Sequence, residues 1–218
     1  MNILLAMYGA VSQGVLWGIM CLGLYITYKV LDFADLTVDG SFALGGAVNA
    51  ALIVLDCNPL VALFISFIAG GISGIVTGLL NTKLKIPGIL AGILTMIALY
   101  SINIRIMGRA NISLLGETTL MTQISSLINT STTTTSFIIG TIFSVIIIFA
   151  MYWFFGTEIG SAIRATGNNE KMVRAQGVNT DNMKILGLML GNALVSLSGG
   201  LVAQSQGYGD VQMGTGTI

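Results

Sequence analysis

Three carboxylates, Asp32, Asp35 and Asp39, fall close together in the run Asp32-Phe-Ala-Asp-Leu-Thr-Val-Asp-Gly-Ser41, between two apolar stretches. Ionisable groups at membrane depth are costly, and those that occur there hold ions or protons or line a solute path. Irregular backbone at that depth is tolerated only where it is buried in protein or lines a cavity. In a short aqueous loop the same carboxylates are simply solvated, and Lys29 and the loop length leave both readings open. On the first reading Asp35, Thr37, Asp39 and Ser41 are candidate translocation-path residues. Asn49, Thr95, Asn103 and Asn192, polar side chains inside apolar segments, join them. Each of these four equally suits an interhelical hydrogen bond.

A second polar stretch runs from Glu158 to Lys184. Asn168 or Asn169 suits an N-cap, Glu170 to Gln176 makes two short turns, and Glu170 and Arg174 pair at i,i+4. Gly177 supplies the left-handed residue that ends such a helix. Met172, Val173 and Gln176 are predicted to lie near one another, with Lys171 and Arg174 elsewhere. A short amphipathic helix of this kind serves a soluble partner or rests on lipid headgroups, and the residues alone allow both.

Other chemistry is thinly represented. The chain has no histidine, which removes the commonest general base and zinc ligand. Cys21 and Cys57 are far apart in or beside apolar stretches and are expected to be reduced thiols. No nucleophile–base pattern, metal site or cofactor motif is evident, and no Gly-x4-Gly-Lys-Ser/Thr pattern occurs, so the chain holds no P-loop for ATP. Equal numbers of basic and acidic residues (9 and 9) argue against a nucleic-acid partner, which needs a basic patch.

The elements that must position these residues are apolar helices. Of 218 residues 54% are hydrophobic and 8% charged, with a mean hydropathy of +0.89. A water-soluble domain carries about 25% charged residues, so the chain reads as an all-α, polytopic transmembrane bundle in a lipid bilayer. Spans need roughly 20 apolar residues. Six are expected, at about 5–28, 40–56, 59–80, 87–107, 136–155 and 184–205. The second is short for a full crossing and suits a tilted or broken helix. The uncharged stretch Met1 to Tyr28 lacks the basic region of a cleavable signal and is taken as the first span. The polar stretch Gly108 to Ser136, with its Asn-Thr-Ser-Thr-Thr-Thr-Thr-Ser run from Asn129, reads as an exposed loop. Of nine lysines and arginines, seven (Lys29, Lys83, Lys85, Arg164, Lys171, Arg174 and Lys184) fall in alternate loops and two, Arg105 and Arg109, in the others. The excess of basic residues marks the cytoplasmic side, which puts the N-terminus outside and the segment 156–183 inside. Glycines at four-residue spacing, Gly14/Gly18, Gly70/Gly74/Gly78, Gly88/Gly92 and Gly187/Gly191, are expected to let helix backbones approach.

The pattern Gly160-x-Ala-Ile-Arg-Ala-Thr-Gly-x-Asn, then Ala175-x-Gly-Val-Asn179, then a helix with Ser-Gly-Gly-Leu-x-Ala, resembles the permease subunit of ABC importers of the branched-chain amino acid and ribose type. Asp35-Leu-Thr-Val-Asp-Gly-Ser41 resembles that family's Asp-Leu-Ser-Val-Gly-Ser segment. Asp39 is an insertion relative to it, so no family role passes to Asp39. The resemblance implies an inner-membrane permease of a binding-protein-dependent importer, itself no enzyme. Its partners would be cytoplasmic ATPase subunits, an extracytoplasmic substrate-binding protein and a second permease copy. It further implies that the segment between spans docks on the ATPase through Glu158, Gly160, Arg164, Ala165, Gly167, Asn168, Arg174, Gly177 and Asn179. The substrate it suggests is an amino acid, with aromatic amino acids in view and sugars or nucleosides open. Family members continue beyond a similar glycine-rich stretch, so this single domain is expected to be C-terminally truncated. Asp210-Val-Gln-Met-Gly-Thr-Gly faintly echoes Asp35-Leu-Thr-Val-Asp-Gly-Ser. An ion-coupled secondary transporter with broken helices is the competing reading. It accounts for Asp35 and Asp39 but not for the patterned segment 158–179.

Overall fold

The computed structural model describes residues 3–216. Among them six helices are long and apolar enough to span a membrane. They are α1 (Ile3–Leu24, continued by a π-helical turn Tyr25–Val30), α2 (Thr37–Val54), α3 (Pro59–Thr82), α4 (Gly88–Met107), α6 (Thr132–Phe155) and α9 (Thr180–Gln206). Between them lie α5 (Leu120–Ile128), α7 (Glu158–Asn168) and α8 (Glu170–Ala175), with the strands β1 (Asn111–Ser113) and β2 (Tyr208–Asp210).

Polar residues at the loop–helix junctions set where helices start, by satisfying the free N–H groups of the first turn. Asn58 accepts from Leu60 N with Pro59 in the first helical position, Ser131 caps α6, and Thr157, Asn169 and Asn179 cap α7, α8 and α9. Glycines in the left-handed conformation end α4 at Gly108 and α9 at Gly207.

The polar stretch after α4 is more ordered than an exposed loop. Asn111–Ser113 pairs antiparallel with Tyr208–Asp210, and Thr119 and Thr122 form a capping box that starts α5. The threonine run itself opens α6, because Ser131 caps it and the hydroxyls of Thr135 and Ser136 bond carbonyls four residues back. Nor is the second span broken. It is one helix of 18 residues, about 27 Å long at about 1.5 Å per residue.

α9 is the central element, packed against α1, α2 and α3, and its middle from Gly191 to Gln204 is buried. α3, α4 and α6 lie outside and show large apolar side chains, Phe64, Ile97 and Phe149 among them, to where lipid would be. The glycine faces divide accordingly. Gly70, Gly74 and Gly78 meet Ser196, Leu188 and Ile185 of α9, and a Cβ on Gly45 would strike the Ser196 backbone. Gly187 and Gly191 meet Leu31 and Thr27, while Gly88 and Gly92 meet Phe33 and Leu36. A Cβ on Gly14 or Gly18 would meet nothing within 4 Å among the described residues, so the expected packing role does not hold for that pair among them.

Gly45→Ala is expected to lower stability by about 1–3 kcal/mol through overpacking. Gly14→Ala should be neutral or stabilising by up to about 1 kcal/mol. Thermal unfolding in one detergent compares the two, and equal shifts would refute the packing assignment.

Candidate functional site

The chain leaves α1 through a widened turn, in which Leu31 N donates to Ile26 O and Phe33 N to Thr27 O, each about 3.0 Å. It then runs without regular structure to Thr37, with Asp32 in the left-handed region. This irregular backbone lies inside protein: Leu31, Phe33, Asp35 and Thr37 are buried, and Phe33 and Leu36 press on Gly88 and Gly92. The buried reading of the carboxylate run thus holds for Asp35, whereas Asp32 is exposed and Asp39 half-buried.

Asp35 accepts from Thr37 N (2.9 Å) and from Asn192 Nδ2 (2.7 Å). Asn192 also donates to Leu188 O (3.0 Å), and its Oδ1 accepts from Ser41 Oγ (2.6 Å). Ser41 and Ser73 hydroxyls are 2.7 Å apart. Beside them Thr37 and Thr77 hydroxyls share a hydrogen bond (2.8 Å), and Thr77 donates to Thr95 (3.0 Å). All of these side chains are buried. The network joins α2, α3, α4 and α9 around a carboxylate that lies at the N-terminus of α2, where the helix dipole favours negative charge. No basic side chain within the described residues pairs with Asp35.

Asp35, Thr37, Ser41 and Asn192 therefore stand together in one buried hydrogen-bonded knot. Asp39 and Asn103 line a cavity of about 280 Å³ between α2, α4 and the segment after β2, shared with Met96, Ile97, Tyr100 and Thr215. Asp39 Oδ2 accepts from Gly216 N (3.3 Å). Asn103, with its amide turned to satisfy both neighbours, donates to Leu99 O and accepts from Leu44 N. Asn49 lies elsewhere: its Oδ1 accepts from Gln204 Nε2 (3.0 Å), and Gln204 in turn accepts from Leu120 N (2.9 Å). Its own Nδ2 is buried without a partner among the described residues. Ser73, Thr77 and Gln204 were not singled out from sequence. The available signal was the alignment of Ser66, Ser73 and Thr77 with the α3 glycines, a polar edge on a close-packed face. The two echoing segments share one detail: Asp210 Oδ1 accepts from Gln212 N (2.6 Å), as Asp35 does from Thr37 N.

At the end of the bundle where α1, α3 and α6 finish, α7 and α8 fold across the start of α9. The sequence predicts only the second of these helices. On α7, Gly160, Ile163 and Thr166 face inward, and Gly160 and Gly167 lie against the backbones of Phe154 and Val30. Their role is close approach. Glu158, Ser161 and Asn168 are exposed, Ala165 is half-buried, and Arg164 is exposed on the flank of the inward stripe. On α8, Val173 is buried whereas Met172 is 50% exposed, so the expected common face of Met172, Val173 and Gln176 is split. Asn179 caps α9, accepting from Asn182 N (3.2 Å), and Gly177 takes the left-handed turn. Glu170 pairs with Arg174 as expected (3.1 Å) and with Lys184 (2.7 Å), and Arg174 reaches Asp181 (2.7 Å) and Thr180. Chiefly the Lys184 hydrogen bond holds the Glu170 carboxyl below its ordinary range.

Residues 6–218 match the family described as branched-chain amino acid transport system / permease component. A tyrosine transport system permease protein of Clostridioides difficile is 39% identical over 208 residues, 95% of this chain and 67% of its own length. An uncharacterized protein of Rickettsia prowazekii is 36% identical over 216 residues, 99% of this chain and 73% of its own. The ribose import permease protein of Escherichia coli is 25% identical over 207 residues, 88% of this chain and 59% of its own. No solved structure matches.

Removing one partner of the knot should cost more than removing both. Asn192→Ala leaves the Asp35 carboxylate short of a donor and should destabilise by about 2 kcal/mol. In a double-mutant cycle with Asp35→Ala the coupling should be about 1–2 kcal/mol, and additivity would show that the two do not interact. Because the carboxyl of Glu170 ionises more readily folded than unfolded, its contribution is complete above the ordinary Glu value of about 4.3 and fades as pH falls through its lower folded value. A nitroxide at Met172→Cys should stay immobile down to that range and loosen below it, and Glu170→Gln should loosen it at neutral pH.

Proposed function

The chain belongs to the branched-chain amino acid transport system permease family, the multi-pass membrane subunits of ABC importers, and from that premise we propose that it forms the translocation path for an aromatic amino acid. The cavity beside the start of α2 carries this reading. Its volume of about 280 Å³ suits a small solute. Its wall offers a carboxylate at Asp39 for an ammonium group, Asn103 as a polar contact, and Met96 and Tyr100 for an aromatic face. The tyrosine transport permease among the relatives supports the same substrate class.

In this reading the basic end of the bundle is cytoplasmic and the N-terminus of the chain lies outside. ATP is hydrolysed on separate subunits. They receive α7 and α8 through the exposed residues Ser161, Asn168, Lys171 and Met172, while Gly160, Gly167, Gly177 and Asn179 hold the two helices in place. Arg174 orders the surface through its carboxylate partners. An extracytoplasmic binding protein delivers the substrate, and a second permease copy completes the path. Motion at α8 reaches the knot along α9, which carries Lys184 and Asn192 on one rigid helix. The buried carboxylate of Asp35, with Asp39 one turn along α2, is what favours ion coupling.

Uptake of labelled tyrosine into proteoliposomes holding the assembled importer should require ATP and be indifferent to ion gradients. Uptake driven by a gradient without ATP would establish the ion-coupled reading instead. Asp39→Asn should lower uptake with the ATPase still bound. Met172→Asp should weaken ATPase co-purification about tenfold or more, as loss of one interface anchor does.

A further inference from the structure

Two cavities meet at the end of the bundle that carries α7. One, about 640 Å³, is lined by Tyr25, Tyr152, Trp153, Thr157 and Arg164 among others. The second, about 340 Å³, runs between α1, α3, α6 and α9 past apolar side chains such as Ile26, Phe67, Ile147 and Leu194. Met151, Trp153 and Phe155 line both. Together they make one cleft, cationic and aromatic at its mouth and hydrocarbon within.

We propose that this cleft holds a phospholipid with an anionic headgroup, its phosphate on Arg164 and an acyl chain along the apolar groove. Three observations fix the occupant. First, Arg164 has no carboxylate within ion-pairing distance and no hydrogen bond among the described residues. A guanidinium takes phosphate through paired N–H donors. Second, Tyr152 is 83% and Trp153 70% exposed on the last turn of α6, the position of aromatic residues at the membrane–water boundary. The mouth of the cleft is therefore at headgroup level rather than out in water. Third, the groove that continues from it offers no polar group to a protein or a soluble anion, while it suits an alkyl chain. Basic pockets between transmembrane helices on the cytoplasmic side bind anionic headgroups for the same electrostatic reason. The site stands on the membrane character of the chain and is independent of the substrate, while it shares α7 with the ATPase contacts proposed at Ser161 and Asn168.

The chain has two tryptophans, so Trp17→Phe leaves Trp153 as the sole reporter. In phosphatidylcholine nanodiscs, brominated phosphatidylglycerol should quench Trp153 at about one-fifth the mole fraction that brominated phosphatidylcholine needs, the effect of one basic side chain at an anionic surface. Arg164→Gln should merge the two curves and Arg164→Lys should keep them apart. Equal quenching with Arg164 present, or a preference that survives Arg164→Gln, overturns the proposal. So does the absence of quenching by either lipid, which would put another protein surface in the cleft.

Discussion

A carboxylate carried into hydrocarbon has no water to satisfy it, and the bundle is arranged around meeting that demand at Asp35. The backbone leaves helical form between Val30 and Thr37, so its polar groups as well as the carboxylate need protein partners. They find them in the π-helical turn, in the first N–H of α2 and in Asn192 of α9. Placing Asn192 there puts α9 at the centre. The same amide takes Ser41, and through Ser73 the third helix is tied to the first two contacts.

Polar attachment at this depth requires close backbones, which explains the distribution of glycine. Short hydroxyl and amide side chains reach one another only when helix axes are near, and a Cβ at Gly45, Gly74 or Gly199 would enter the backbone of the facing helix. Lipid supplies no hydrophobic drive between helices, so dispersion across these faces and the hydrogen bonds they permit act as one unit. Where no such unit is needed, as at Gly14 and Gly18, the face is open.

The end of the bundle that carries α7 and α8 works by a different rule. α7 is held by two glycines against neighbouring backbones, and α8 by one buried valine and a charged cluster around Glu170. Exposed ion pairs contribute little to stability individually. A cluster sharing Glu170, Arg174, Asp181 and Lys184 instead fixes the orientation of α8 on the start of α9. Lys184 and Asn192 lie on the same helix, so one continuous element carries both the surface cluster and a member of the buried knot.

Composition and period alone determined that this is an all-α membrane chain, where its spans lie within a few residues, which end is basic, and that Asn168 or Asn169, Gly177 and the Glu170–Arg174 pair build a short helix. These follow from local rules: apolar length, capping chemistry and i,i+4 spacing act within a few residues of each other. The strand after α4 was missed because β1 pairs with residues almost a hundred positions away, whereas α5 was missed although its Thr119–Thr122 capping box is local. The candidate path residues illustrate the limit most clearly. Sequence could select Asp35, Thr37, Ser41, Asn192, Asp39 and Asn103 as polar groups in apolar surroundings, but not divide them. Only tertiary packing decided that the first four join in one hydrogen-bonded knot and the last two face a cavity. Which partner a buried polar group finds depends on the helix across from it, and that helix is distant in the chain.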